Sequence, residues 1–254
     1  MLVNKGINKA RTTMLSDECD GFKFYFQKNS LGDSARPFIK KQLIKYKQEI
    51  LTMMAEKTFT PGIEAFFYTS KEQMNQALDT KSEGISFASK KVIAFVFSRQ
   101  FSSLTRHEIS HILSKNLWGA SEIWIEEGFA TLTDEDMQKQ NFHQQCKALI
   151  GTPDFIDTYE LFNHFNSFSG NWNRYVEAAS ILKFIKDAYG NDGLKEIWKK
   201  RSLQLKNKSE KQLLKEWLSV LENTGNWVLI YKKTDLSHFC LFYFMILLIL
   251  TQPK

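Results

Sequence analysis

The chain is poor in cysteine and histidine. Its three cysteines, Cys19, Cys146 and Cys240, are odd in number, scattered, and form no CxxC pair. That argues against a disulfide framework, and the thiols say little about compartment. No stretch reaches the ~18 apolar residues of a membrane span. The nearest is 239–250, unbroken in its apolar character and flanked by Lys232, Lys233 and Lys254. Three readings of it stay open: a membrane-associating tail, a buried strand or helix, or out-of-family sequence from a shifted reading frame. The start, Met-Leu-Val-Asn-Lys-Gly-Ile-Asn-Lys, lacks the apolar core of a signal peptide. As it stands the chain reads as cytoplasmic, a truncated start leaving export or membrane association open. Repeats and low-complexity segments are absent.

What is present is a globular composition. The 254 residues are 43% hydrophobic and 14% aromatic, enough for one or two domains with a sizeable core. The net charge of +6 is concentrated at 40–47 and 199–215. Both stretches read as helical and are interleaved with apolar residues (Ile39, Leu43, Ile44; Leu203, Leu205, Leu213, Leu214). They read as solvated helix faces rather than phosphate-binding patches, so no nucleic-acid partner is expected. The sequence assigns no oligomeric state.

The pattern predicts an α+β chain. Residues 1–20 are polar and expected to form a flexible segment. The aromatic run 22–27 reads as a first strand, and 30–37 as a turn into a helix ending near Glu56. That helix carries an apolar stripe through Phe38, Ile39, Leu43, Ile44, Ile50, Leu51 and Met54. Strands follow at 63–68, 84–89 and 92–98. Ser70 with Gln73 forms a capping box for a short helix to about Leu78. Beyond 136 the chain reads as helical. One helix spans 137–150 and ends at Gly151. A second starts at Thr152-Pro153 and runs through Tyr159 and Phe162. A loop covers 167–172, and a strongly amphipathic helix spans 175–190. The expected organisation is a catalytic subdomain at 21–136, a helical subdomain at 137–222 closing a cleft, and a tail at 223–254.

The chemistry concentrates in Thr105-Arg106-His107-Glu108-Ile109-Ser110-His111. Four residues turn an α-helix through about 400°, so His107 and His111 share a face. Two imidazoles placed so can grip one metal ion, with Glu108 beside them as a general base: the HExxH zinc-protease pattern. Ser102 or Ser103 can cap the helix, and Leu104, Ile112 and Leu113 give it an apolar side. A catalytic zinc takes a third protein ligand. The extended form with a third histidine is absent, because Ser114 and Leu117 stand where glycine and histidine would be needed.

Downstream lies Trp124-Ile125-Glu126-Glu127-Gly128-Phe129-Ala130. W-(L/I)-x-E-G-(F/L)-A after H-E-x-x-H resembles the gluzincins, the thermolysin-like and aminopeptidase-N-like enzymes, and more narrowly the bacterial peptidase MA-like metallohydrolases. The resemblance covers about 20–200 and is strongest at 92–131. It implies a zincin-like fold, one Zn²⁺, a peptide or protein substrate, and Glu127 as third ligand. Spacing alone leaves Glu126 open. Gly128 would let a second helix approach the first. In thermolysin-like relatives an aspartate four residues after the ligand glutamate orients a zinc histidine; here Thr131 stands there, with Asp134 and Asp136 nearby. The edge strand that pairs with substrate would be 84–89. The G-x-M-E-N segment of aminopeptidases is missing. The stretch Y-x-x-A/S … Y-G at 175–190 also resembles the group. Tyr175, opening that helix, is the candidate oxyanion donor, with Tyr159 second. His143 and His164 read as surface or satisfied core histidines.

Overall fold

The computed structural model describes residues 2–101, 104–135, 141–168 and 170–224. The apolar stretch 239–250 lies outside them. No helix of the described residues is long and apolar enough to cross a membrane.

The chain folds as α+β around a mixed sheet. Strands β1 (Leu15–Cys19), β2 (Phe22–Phe26), β3 (Ile63–Tyr68), β4 (Gly84–Phe87) and β5 (Val92–Val96) lie in the order β1-β2-β3-β5-β4. The central β2, β3 and β5 run parallel, and both edges are antiparallel. Central strands covered on both faces read as near-continuous apolar runs, as Ile-Glu-Ala-Phe-Phe-Tyr and Val-Ile-Ala-Phe-Val do. Their alternation sorts two cores. Tyr25, Phe66, Tyr68, Val92, Ala94 and Val96 face α1 (Leu2–Thr13) and α4 (Lys71–Leu78), through Ile7, Ala10, Met74 and Leu78. Phe24, Phe26, Ala65, Phe67, Ile93 and Phe95 face the other side, where the remaining helices pack.

The N-terminal residues, expected to be flexible, form α1 and β1 instead. A sheet edge needs only backbone pairing, so the polar Leu-Ser-Asp-Glu-Cys carries no apolar alternation. Helix α1 hides its packing in a glycine. At Gly6 the helices approach so closely that a Cβ would lie 1.7 Å from the carbonyl oxygen of Ala77. Arg11 and Tyr25 both bond Glu64 of β3, Arg11 through Nε at 3.0 Å and Tyr25 at 2.9 Å.

A short helix α2 (Leu31–Ser34), capped by Ser30, precedes α3 (Arg36–Met53). Beyond β5 come α5 (His107–Leu117), α6 (Ile123–Leu132), α7 (Phe142–Leu149), α8 (Thr158–Asn163), α9 (Asn173–Lys200) and α10 (Glu210–Asn223). Helix α7, expected from 137, is capped by Asn141; 136–140 lie outside the described residues. Pro153 does not start α8. Residues 152–156 take an irregular course in which the Ile156 N–H donates to buried Glu177 at 2.9 Å, and Asp157 caps the helix instead. Gly190, at φ 69° and ψ −171°, leaves the helical path and closes the helix expected over 175–190; a second helix follows it, the two together being α9. The stretch 201–209 is a turn with one bridge, Leu205 to Lys208, rather than helix.

The helical side holds a polar cluster under α9. His143 Nδ1 meets Ser180 Oγ at 2.9 Å, and Trp217 Nε1 donates to the same oxygen at 3.0 Å. Burial drops His143 to about 4 and raises the Cys146 thiol. Glu177, at 0% exposure, has one oxygen without a partner. Burial pushes its carboxyl from 4.5 up to about 8, the Ile156 bond opposing. A carboxyl raised on folding contributes stability that is complete below its unfolded pKa and is lost as pH rises through the folded one. The loss is at most about 1.4 kcal/mol per pH unit. Glu177→Gln keeps the acceptor for Ile156 and cannot ionise. Its thermal midpoint is expected to fall less than the parent's between pH 6 and 9, and to exceed the parent's at pH 9. Parallel curves in thermal unfolding would show that Glu177 is not the titrating group.

Candidate metal centre

Two helices supply the site. Helix α5 buries Ile109, Ile112 and Leu113 and turns His107, Glu108 and His111 to the other side. Helix α6 buries Trp124, Ile125, Phe129 and Leu132, which aims Glu127 back at α5. The Glu127 oxygens lie 3.2 Å from His107 Nε2 and 3.5 Å from His111 Nε2. The two Nε2 atoms are 3.1 Å apart, their rings at 79°.

This convergence fits a metal ion. Two donors bonded at ~2.0–2.1 Å to one tetrahedral ion lie about 3.3 Å apart, and the three observed separations bracket that edge. His107, His111 and Glu127 form a group whose ligand atoms all lie within 4.8 Å of one another. Without a cation, these lone-pair atoms need protons between them. Burial opposes charge on His107, but its bond to Glu127 and the Glu108, Glu127 and Asp134 charges outweigh this and push it up to about 9. Burial would raise Glu127, yet bonds from both histidines hold it well below the usual carboxylate range.

Glu126 faces elsewhere. It is 5% exposed; Oε1 accepts the Ser121 N–H at 2.9 Å, and Oε2 pairs with Lys115 Nζ at 2.7 Å. That pair ties the start of α6 to the end of α5. At the opposite end Arg106 does the same. Its guanidinium bonds Glu49 of α3 at 2.9 and 2.7 Å and donates to the Thr133 carbonyl at 2.9 Å. Its backbone N–H donates to Asp134 Oδ1 at 2.8 Å. So α5 starts at His107 under a carboxylate 28 residues away; Ser102 and Ser103 lie outside the described residues. Asp134 carries negative charge toward His107, and its own carboxyl is raised to about 6, burial outweighing His107 and Arg106. Thr131 Oγ1 and His111 Nδ1 are both buried without a partner.

Gly128 serves a different neighbour from the one expected. A Cβ there would lie 2.9 Å from Ala178, so the glycine admits α9 rather than α5.

Glu108 stands free. Among the described residues its carboxylate takes no hydrogen bond, and it lies against β4, where a Cβ on Gly84 would be 3.3 Å from Glu108 Cγ and Oε1. Strand β4 is the sheet edge on this side. The Val96 N–H donates to the Glu83 carbonyl at 2.8 Å. Antiparallel pairing alternates, so the N–H and C=O of Gly84 and Ser86 point away from β5.

Tyr175 sits in the first turn of α9, half-buried, its hydroxyl accepting from Arg174 Nη2 at 2.8 Å. No hydrogen bond joins it to the triad. Tyr159, 65% exposed, and His164 lie on the surface, and His143 lies in the core. Sequence reasoning missed Arg106 and Gly84 at the site. Neither bears a motif, and both act through neighbours distant in the chain.

No protein-family model matches this chain, and no match was found among curated proteins.

Proposed function

We propose that the chain is a zinc-dependent metallopeptidase of the gluzincin type with a zincin-like fold, similar to the peptidase MA-like metallohydrolases. One observation carries this: His107, His111 and Glu127 converge at tetrahedral spacing with an uncommitted Glu108 beside them. Zinc held there would supply a Lewis acid that polarises a carbonyl and makes water nucleophilic near neutral pH. Glu108 takes the proton from the attacking water and delivers it to the leaving amine nitrogen. Tyr175 donates to the oxygen of the tetrahedral intermediate. The outward N–H and C=O groups of Gly84 and Ser86 bind an extended substrate backbone beside Glu108.

The direct test is cleavage of a mixed peptide library by zinc-loaded protein, with and without chelator. Chelator-sensitive cleavage is expected. Cleavage indifferent to chelator would reject the proposal. Gly84→Val probes the geometry, because its side chain must displace Glu108 from the edge strand. A general base moved by about 1 Å costs roughly 10²-fold. The variant is expected to retain the parent's zinc content and lose about that factor in kcat/KM. Unchanged kcat/KM in a folded variant would show that Glu108 does not work from this position.

A further inference from the structure

Arg174 is a buried cation without an anion. It is 7% exposed, and no carboxylate among the described residues forms an ion pair with it. Nη1 donates to the Phe165 carbonyl at 2.7 Å and Nη2 to the Tyr175 hydroxyl at 2.8 Å, while Nε has no partner. The guanidinium carbon lies 4.7 Å from the ring centroids of both Phe165 and Tyr175. Trp172 stacks on Tyr175 at 5.5 Å and Phe165 meets it edge-on at 5.4 Å, so the phenol has little room to turn.

A guanidinium only donates. Tyr175 therefore accepts, and its own proton is uncommitted: the hydroxyl donates to no group among the described residues. Donation from a cation also polarises the phenol and strengthens it as a donor. Helix α6 and the part of α9 before Gly190 run in the same sense, Gly128 against Ala178 and Glu135 3.3 Å from Lys183. The first turn of α9 is thus level with the α6 residues that precede Gly128, Glu127 among them.

We propose that Arg174 is a positioning residue for the reaction, holding the Tyr175 phenol with its proton aimed outward and its donor strength raised for the oxyanion of the tetrahedral intermediate. This rests on the metallopeptidase reading.

The test is a double-mutant cycle on zinc-loaded full-length protein: parent, Arg174→Met, Tyr175→Phe and both together. One readout is binding of a phosphinic peptide, a tetrahedral anion, by calorimetry; the other is kcat and KM for a cleaved peptide. Arg174→Met is expected to weaken the phosphinic peptide and lower kcat by about 10–10²-fold with KM little changed. In the Tyr175→Phe background it should add nothing. Arg174→Gln keeps an N–H donor and should recover part of the loss, which also covers a Met variant that fails to fold. Equal losses in both backgrounds, or no loss in either, overturn the proposal. Glu108→Gln separates the two failures. If Glu108→Gln is inactive while Arg174→Met matches the parent, only the role of Arg174 falls. If Glu108→Gln is as active as the parent, the peptidase reading falls and takes this inference with it.

Discussion

Glu108→Gln protein is expected to bind one zinc per chain, as is expected of the parent, and to cleave peptides about 10³-fold more slowly, the scale of general-base catalysis. The two halves of that result have separate causes. The group that could hold the metal consists of His107, His111 and Glu127, and Glu108 is not in it. Glutamine keeps the shape beside Gly84 but cannot take a proton. Zinc content by atomic emission and turnover on a cleaved peptide check both halves. A variant as active as the parent would remove Glu108 from the chemistry. A parent that binds zinc but cleaves nothing would instead be a zinc-dependent interaction module.

The second large effect separates two adjacent carboxylates. Loss of an outer partner of a metal ligand already costs roughly 10–10²-fold in affinity. Glu127→Ala removes a proposed ligand outright, so zinc affinity should fall by more than about 10²-fold. Glu126→Ala should leave it near the parent's. Its cost lies in folding, because the half-buried Ser121 N–H loses its acceptor, worth about 1 kcal/mol. Zinc titration against a competing chelator, beside thermal unfolding, distinguishes the two. Equal loss of zinc in both variants would contradict the assignment of Glu127.

Much of this was legible in the residues. Val92–Val96 and Ile63–Tyr68 advertise themselves because both faces are buried. His107 and His111 were readable because helical spacing needs no tertiary information. The choice between Glu126 and Glu127 was not, since adjacent helix positions differ only in which neighbour they face. Lys115 and Ser121 decide it for Glu126. Strand β1 was hidden because an edge is held by backbone groups that every sequence has. Helix α1 was hidden because its contact at Gly6 is a missing side chain. The start of α5 could not be placed from local capping residues, because the acceptor above Arg106 is Asp134, on the far side of α6. Pro153 misled for the same reason: Glu177 claims the Ile156 N–H that an earlier helix start would need.

The most direct test of the central claim is X-ray absorption at the zinc edge on protein loaded with one equivalent. Three side chains from α5 and α6 predict a first shell of two imidazole nitrogens and carboxylate oxygen at ~2.0–2.2 Å, with no sulfur, and loss of the carboxylate in Glu127→Ala. A shell containing sulfur, or one unchanged by Glu127→Ala, would place the metal elsewhere and contradict the account.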